Sequence, residues 1–203
     1  MIDEGYIKFE SRWQKTAPLQ HDAIDILNRW RRPLYDAGLI GHYQELNVGY
    51  GNLSVRLAGT AQFIISGTQT GHIVETGPQH YALVEQFDID ANCVTSRGAC
   101  EASSESLTHA ALYALDQQIA AVVHAHSDKI WEQLRGSAPT TASDVAYGTP
   151  EMAYEFARLW NESEFPVSGI AVMAGHESGV VSIGRDLQEA AERMLAIAAR
   201  YKN

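Results

Sequence analysis

Between residues 53 and 96 the chain carries four short strand-like runs: LSVRL (53–57), QFIIS (62–66), YALVEQFD (81–88) and NCVTS (92–96). The connections 58–61 and 89–91 are too short for a crossover helix, so neighbouring runs are expected to pair antiparallel. A sheet of this kind must bury its apolar side chains, and the rest of the chain supplies the cover. Ile24, Leu27, Trp30 and Leu34 fall at helical spacing and predict an amphipathic helix from Leu19 to about Ala37, where Pro33 leaves room for a break or kink. A glycine-rich stretch, GLIGHYQELNVGYGNLSV, reads as a loop feeding the first strand. Leu107, Ala111 and Leu115 share a face, predicting a helix from about Ser104, and AAVVHAH (120–126) reads as a buried strand.

Further on, DKIWEQLRG predicts a helix and SAPTTASDVAYGTP a long loop. PEMAYEFARLWNE opens a helix with proline in its first turn. GIAVMAG and SGVVSIG are two strands joined by the turn AGHES, and DLQEAAERMLAIAARY is a closing helix capped by Asp186. The expected architecture is one α/β domain over residues 1–203, with a mainly antiparallel central sheet and covering helices. Residues 1–17 are expected to be a loosely held lead-in.

Composition excludes some functions. Fifteen lysines and arginines stand against 25 aspartates and glutamates, a formal charge of -10, which argues against nucleic-acid binding. A small anionic substrate is still compatible, because backbone amides and a metal ion supply local positive potential. IAAVVHA is too short to cross a bilayer, and MIDEGYIKFESRW lacks a signal-peptide core, so no membrane association and a cytoplasmic location are expected. Cys93 and Cys100 do not have zinc-knuckle spacing and are expected as free thiols.

The chemistry-bearing residues cluster late. His124 and His126 are two apart in the strand, which places both imidazoles on one face. Such a pair is half of a plausible zinc site or an ordinary strand end, and the pair alone leaves both open. His176, in the glycine-flanked turn AGHESG, would complete three nitrogen ligands if its turn approaches the end of the His124 strand. Glu105 follows Ser103 and Ser104 at the predicted helix start. It reads either as an acid favouring the helix dipole or as a general base beside an anion held by the serines and free amides. His109, one turn on, is expected to be structural or to support the ligands. GYGNLSVR and IISGTQTG are glycine turns whose Gly51–Asn52 and Ser66–Gly67 backbones can present N–H groups to a phosphate.

Taken together, GNLSVR, FIISGTQTG, SSESLTHAALYA, AVVHAHS and the late GHESG turn resemble the class II aldolase/adducin family over most of the chain. The resemblance implies a three-layer α/β/α fold with helices on both sides of the sheet, and a homotetramer with active sites near subunit boundaries. It implies one Zn2+ per subunit held by His124, His126 and His176, with Glu105 as acid/base. Phosphate of a phosphosugar substrate would be held by Asn52, Ser66, Gly67, Ser103 and Ser104. The implied reaction is reversible aldol cleavage of a ketose 1-phosphate to dihydroxyacetone phosphate and a small aldehyde, with Tyr147 and Tyr201 as candidates for handling the aldehyde oxygen. Two positions depart from the family pattern: Ala102 stands where proline usually precedes the serine pair, and Glu177 follows His176 where glycine is usual. Related dehydratases take an acid from the loop after the histidine pair, where Asp144 and Glu151 lie here, and related epimerases carry aspartate at the position of Glu105. Adducin-like members lack the metal histidines.

Overall fold

The computed structural model describes residues 5–201. Eight strands form one sheet: β1 (Glu10–Lys15), β4 (Asn52–Arg56), β5 (Phe63–Ser66), β6 (Tyr81–Asp88), β7 (Cys93–Gly98), β8 (Ala121–His126), β9 (Ile170–Val172) and β10 (Gly179–Gly184). Their spatial order is β1-β7-β6-β5-β4-β8-β10-β9. Only the β1–β7 pair is parallel; the other neighbours are antiparallel, as short connections require. A separate hairpin joins β2 (Gly41–Tyr43) and β3 (Val48–Tyr50).

Alternation along the strands sends side chains into two cores. Phe63, Ile65 and Val122 pack on one face with Leu107, Leu112 and Phe156 of α2 (Ser106–Leu115) and α4 (Pro150–Glu162). Leu53, Ile64, Val123 and Ala125 pack on the other with Leu27, Leu34 and Met194 of α1 (Ala23–Asp36) and α6 (Leu187–Arg200). The result is a single-domain, three-layer α/β/α arrangement. α3 (Asp128–Leu134) and the short α5 (Phe165–Ser168) complete the chain. No helix among the described residues is long and apolar enough to cross a membrane.

Several sequence expectations change in detail. Residues 10–15 are not a loose lead-in: they form β1, in register with β7 from Glu10–Cys93 to Lys15–Gly98. Residues 1–4 of that lead-in lie outside the described part. Pro33 does not break α1, because it falls in the last turn and its carbonyl still accepts the Ala37 N–H. The glycine-rich stretch before β4 forms the β2–β3 hairpin as well as a loop. α2 starts at Ser106 rather than Ser104, which leaves Glu105 at the N-cap position with no side-chain cap bond. Cys93 and Cys100 are free thiols.

Candidate metal centre and active site

β8 is buried along its whole length, and its even positions face the α2–α4 layer. His124 and His126 therefore project together from its end. The turn between β9 and β10 brings His176 to them. Ser127 N–H donates to the Ser178 carbonyl at 2.9 Å, and the Ser178 hydroxyl donates to the Asp128 carboxylate, tying this turn to the end of β8. Ser178 takes the left-handed backbone (φ 67) that glycine usually supplies, so Glu177 is free to point to solvent.

The three imidazoles converge through their Nε2 atoms, 3.0 Å between His124 and His126 and 3.1 Å between His126 and His176. All three are buried, and their candidate ligand atoms lie within 4.8 Å of one another. Burial holds the His124 pKa down at about 3 and holds those of His126 and His176 well below the ordinary value, helped by the neighbouring rings. Neutral imidazoles with converging lone pairs are the form a divalent metal requires. His126 is also fixed from behind: its Nδ1 lies 3.0 Å from the Tyr43 hydroxyl, and the Tyr50 ring packs 5.4 Å away. Neither tyrosine was singled out from the sequence. A metal held on Nε2 would leave Nδ1–H to donate to the Tyr43 hydroxyl, the pattern that orients metal-ligating histidines.

Glu105 is 1% exposed, and its Oε1 lies 3.6 Å from His176 Nε2 and 3.9 Å from His124 Nε2. Neither carboxylate oxygen has a hydrogen-bond partner. Burial pushes its pKa up to about 7, against smaller opposing effects from Thr108, which lies outside hydrogen-bond geometry, and from Lys8. An unpartnered buried carboxylate beside three neutral imidazoles is costly unless a cation joins them. The donor set thus fits a divalent metal.

Beside the metal cluster lies a cradle lined by Gly49, Gly51, Asn52, Gly67, Ser103 and Ser104, among others. Gly51 (φ 73) turns the chain so that Asn52 pairs with His124 across the sheet. Asn52 Oδ1 is buried without a partner. Ser103 Oγ accepts the Glu105 N–H at 3.2 Å. Among the predicted anion contacts, Gly67 N–H donates to the His80 carbonyl, while Ser66 Oγ accepts from Leu53 N–H and keeps its own O–H to donate. Gly67 instead permits close packing, since a Cβ there would stand 2.3 Å from Cys100 Sγ.

The remaining predicted residues have distinct places. The Tyr147 ring lies 4.4 Å from that of His176, and its hydroxyl bonds both the N–H and the carbonyl of Tyr6. Tyr201 caps α6 and lines a cavity of about 380 Å³ that His126 also borders. His109 is buried against Ser54 Oγ at 2.7 Å, and Ser54 Oγ reaches the Tyr113 hydroxyl at 2.7 Å, a supporting network beneath the site. Asp144 and Glu151 are exposed, whereas the histidine cluster is buried.

Three histidines that could hold a metal ion, with a carboxylate beside them, gather at the end of a central strand in a three-layer α/β/α fold. The sequence model of the class II aldolase and adducin N-terminal domain matches residues 34–202, and the chain belongs to that family. No curated protein matches the chain by sequence at a significant level. Among solved structures, an L-fuculose 1-phosphate aldolase superposes with a TM-score of 0.66 at 20% identity, covering 91% of this chain and 87% of that one. The L-fuculose-1-phosphate aldolase of Thermus thermophilus gives a TM-score of 0.62 at 21% identity, covering 88% and 90%. YgbL of Escherichia coli, described as an aldolase, epimerase or decarboxylase, gives 0.65 at 20% identity, covering 89% and 86%. At these identities the likeness is one of fold.

Proposed function

We propose that the protein is a zinc-dependent class II aldolase that reversibly cleaves a ketose 1-phosphate into dihydroxyacetone phosphate and a small aldehyde. The observation that carries this reading is the buried, unpartnered Glu105 carboxylate within 3.6 and 3.9 Å of two histidine Nε2 atoms. His124, His126 and His176 would hold the ion, and three neutral imidazoles suit zinc. The ion, when bound, supplies Lewis acidity toward the substrate's carbonyl and hydroxyl oxygens.

The chain's own residues supply the rest. Glu105, with a pKa near neutrality, is matched to take and return a proton at the carbon next to the carbonyl. Its burial keeps water from competing for that proton. Asn52, Ser103 and Ser104 border the cradle that would seat the phosphate. Gly67 lines the cradle's wall, and Ser66 precedes it in the chain. Tyr201, which lines a cavity that His126 also borders, would handle the aldehyde half, and Tyr147 would shield the His176 ring. A cytoplasmic homotetramer is part of the same reading, and sedimentation of the purified protein checks the assembly.

The test is to load the protein with zinc and screen ketose 1-phosphates for released dihydroxyacetone phosphate. Glu105→Gln is expected to keep stoichiometric zinc and lose about 10²- to 10⁴-fold in cleavage rate. Full activity in that variant, or products that keep the carbon chain intact, sinks the proposal.

A further inference from the structure

The segment ahead of the family match reaches the active site. Residues 5–9 are held on two sides of it. Gln69 Nε2 donates to the Gly5 carbonyl at 3.2 Å. On the other side the Tyr147 hydroxyl accepts the Tyr6 N–H at 3.0 Å and donates to the Tyr6 carbonyl at 3.2 Å. Gly5 thereby lines the cradle with Asn52, Ser103 and Ser104. Lys8, half-buried, places its ammonium 3.7 Å from the centre of the Tyr147 ring, the same ring that packs on His176. β1 anchors the segment to the sheet immediately afterwards.

The cradle itself lacks a cation: none of its described lining residues is lysine or arginine. The chain as a whole carries a formal charge of -10. An anion seated beside the Glu105 carboxylate by dipoles alone would face like charge in a dry site. The cradle's cavity, with Gly5 in its lining, is about 10 Å³, about one water's room and less than a phosphate needs.

Resting on the aldolase reading above, we propose that the N-terminal segment completes the anion seat and that Lys8 is its specificity-determining cation. Lys8 closes on the anionic oxygens of the substrate, phosphate or carboxylate, that occupy the cradle. The site is therefore built from the family domain plus a strap that precedes it.

The test is calorimetric titration of the full-length, zinc-loaded protein with 2-phosphoglycolate, inorganic phosphate and glycolate. Lys8→Met is expected to weaken 2-phosphoglycolate by about 10- to 100-fold, the size of one charge-assisted contact, at unchanged zinc stoichiometry. Lys8→Arg is expected to stay within about threefold, because the charge is retained. A matching loss with inorganic phosphate identifies the anion as phosphate; a loss with 2-phosphoglycolate that glycolate shares and inorganic phosphate does not identifies it as carboxylate. Unchanged 2-phosphoglycolate binding in Lys8→Met overturns the proposal, and so does a loss that Lys8→Arg shares or that accompanies lost zinc. Wild-type protein that holds zinc but binds none of the three probes overturns the phosphosugar reading itself.

Discussion

Acidifying the metal-free protein tests the site without any substrate. His109, His124, His126 and His176 are buried and held neutral, chiefly by desolvation. Released in the unfolded chain, each titrates near 6.5. The stability they contribute is therefore fully present above that pH and is lost as pH falls through it. At pH 6 the four unfolded imidazoles hold about three protons that the folded ones do not. Glu105 works in the opposite sense. Its folded pKa is raised from 4.5 to about 7, so the folded state binds about one proton more than the unfolded state at pH 6. The net excess on the unfolded side is about two protons, and stability should fall by about 3 kcal/mol between pH 6.5 and 5.5. Against a total of about 5–15 kcal/mol this is a large fraction.

The assay is urea unfolding in the presence of chelator at the two pH values, followed by circular dichroism and tryptophan fluorescence. With a slope of about 2 kcal/mol per molar urea, the midpoint should drop by about 1.5 M on acidification. Glu105→Gln removes the opposing term, so its loss should rise to about 4 kcal/mol over the same unit. An equal or higher midpoint at pH 5.5 would refute the argument, because it would mean that the imidazoles are reachable by protons in the folded protein and do not form a dry ligand set.

Other consequences are testable one at a time. Zinc at about 1,000 times its dissociation constant should stabilise the protein by about 4 kcal/mol, read as a concentration-dependent rise in melting temperature that His124→Ala abolishes. Tyr43→Phe removes the partner of His126 Nδ1 and should weaken zinc by about 10- to 100-fold, measured by competition with a chromophoric chelator. Burial raises the Cys100 thiol to about 11, so its labelling by a disulfide reagent at pH 8 should be slower than in urea-unfolded protein by about 10²-fold or more. Phe156, wholly buried in the core against the Phe165 ring, should cost about 3–5 kcal/mol as Phe156→Ala, seen as a lower urea midpoint with an unchanged slope.

The sheet was legible because its signals are local. Short apolar runs mark the strands, the short connections 58–61 and 89–91 determine antiparallel pairing, and the structure pairs β4 with β5 and β6 with β7 in that way. A strand's period of two placed His124 and His126 on one face before any partner was known. What local pattern cannot carry is a contact made by pairing at long range. β1 is six residues of mixed polarity, ESRWQK, with exposed and half-buried positions, so nothing in its composition marks it as a strand until β7 offers it an edge. Tyr43 is invisible for the same reason: it sits on a three-residue strand 83 positions from His126, and only the hairpin's packing brings its hydroxyl to the imidazole.

Glu105 shows where a local rule points to the right residue for the wrong reason. An acid after two serines at a helix start satisfies the dipole argument, which predicts an exposed or capping carboxylate. In the structure the carboxylate makes no cap and is almost completely buried. The dipole gain of a first-turn acid is about 0.3–1 kcal/mol, smaller than the cost of drying an unpartnered carboxylate, which is several kcal/mol. Helix stability therefore cannot account for where this side chain lies. The arrangement is sustained because the helix start is wedged between the end of β8 and the Tyr147 loop, where the Ser104 carbonyl would lie 2.7 Å from a Cβ at Gly148. A side chain at Gly148 would push that backbone away and move Glu105 from the imidazoles, so Gly148→Ala is expected to lower activity while leaving all three histidines in place to bind zinc. Retained activity with unchanged zinc affinity in that variant would show that the carboxylate does not depend on this packing.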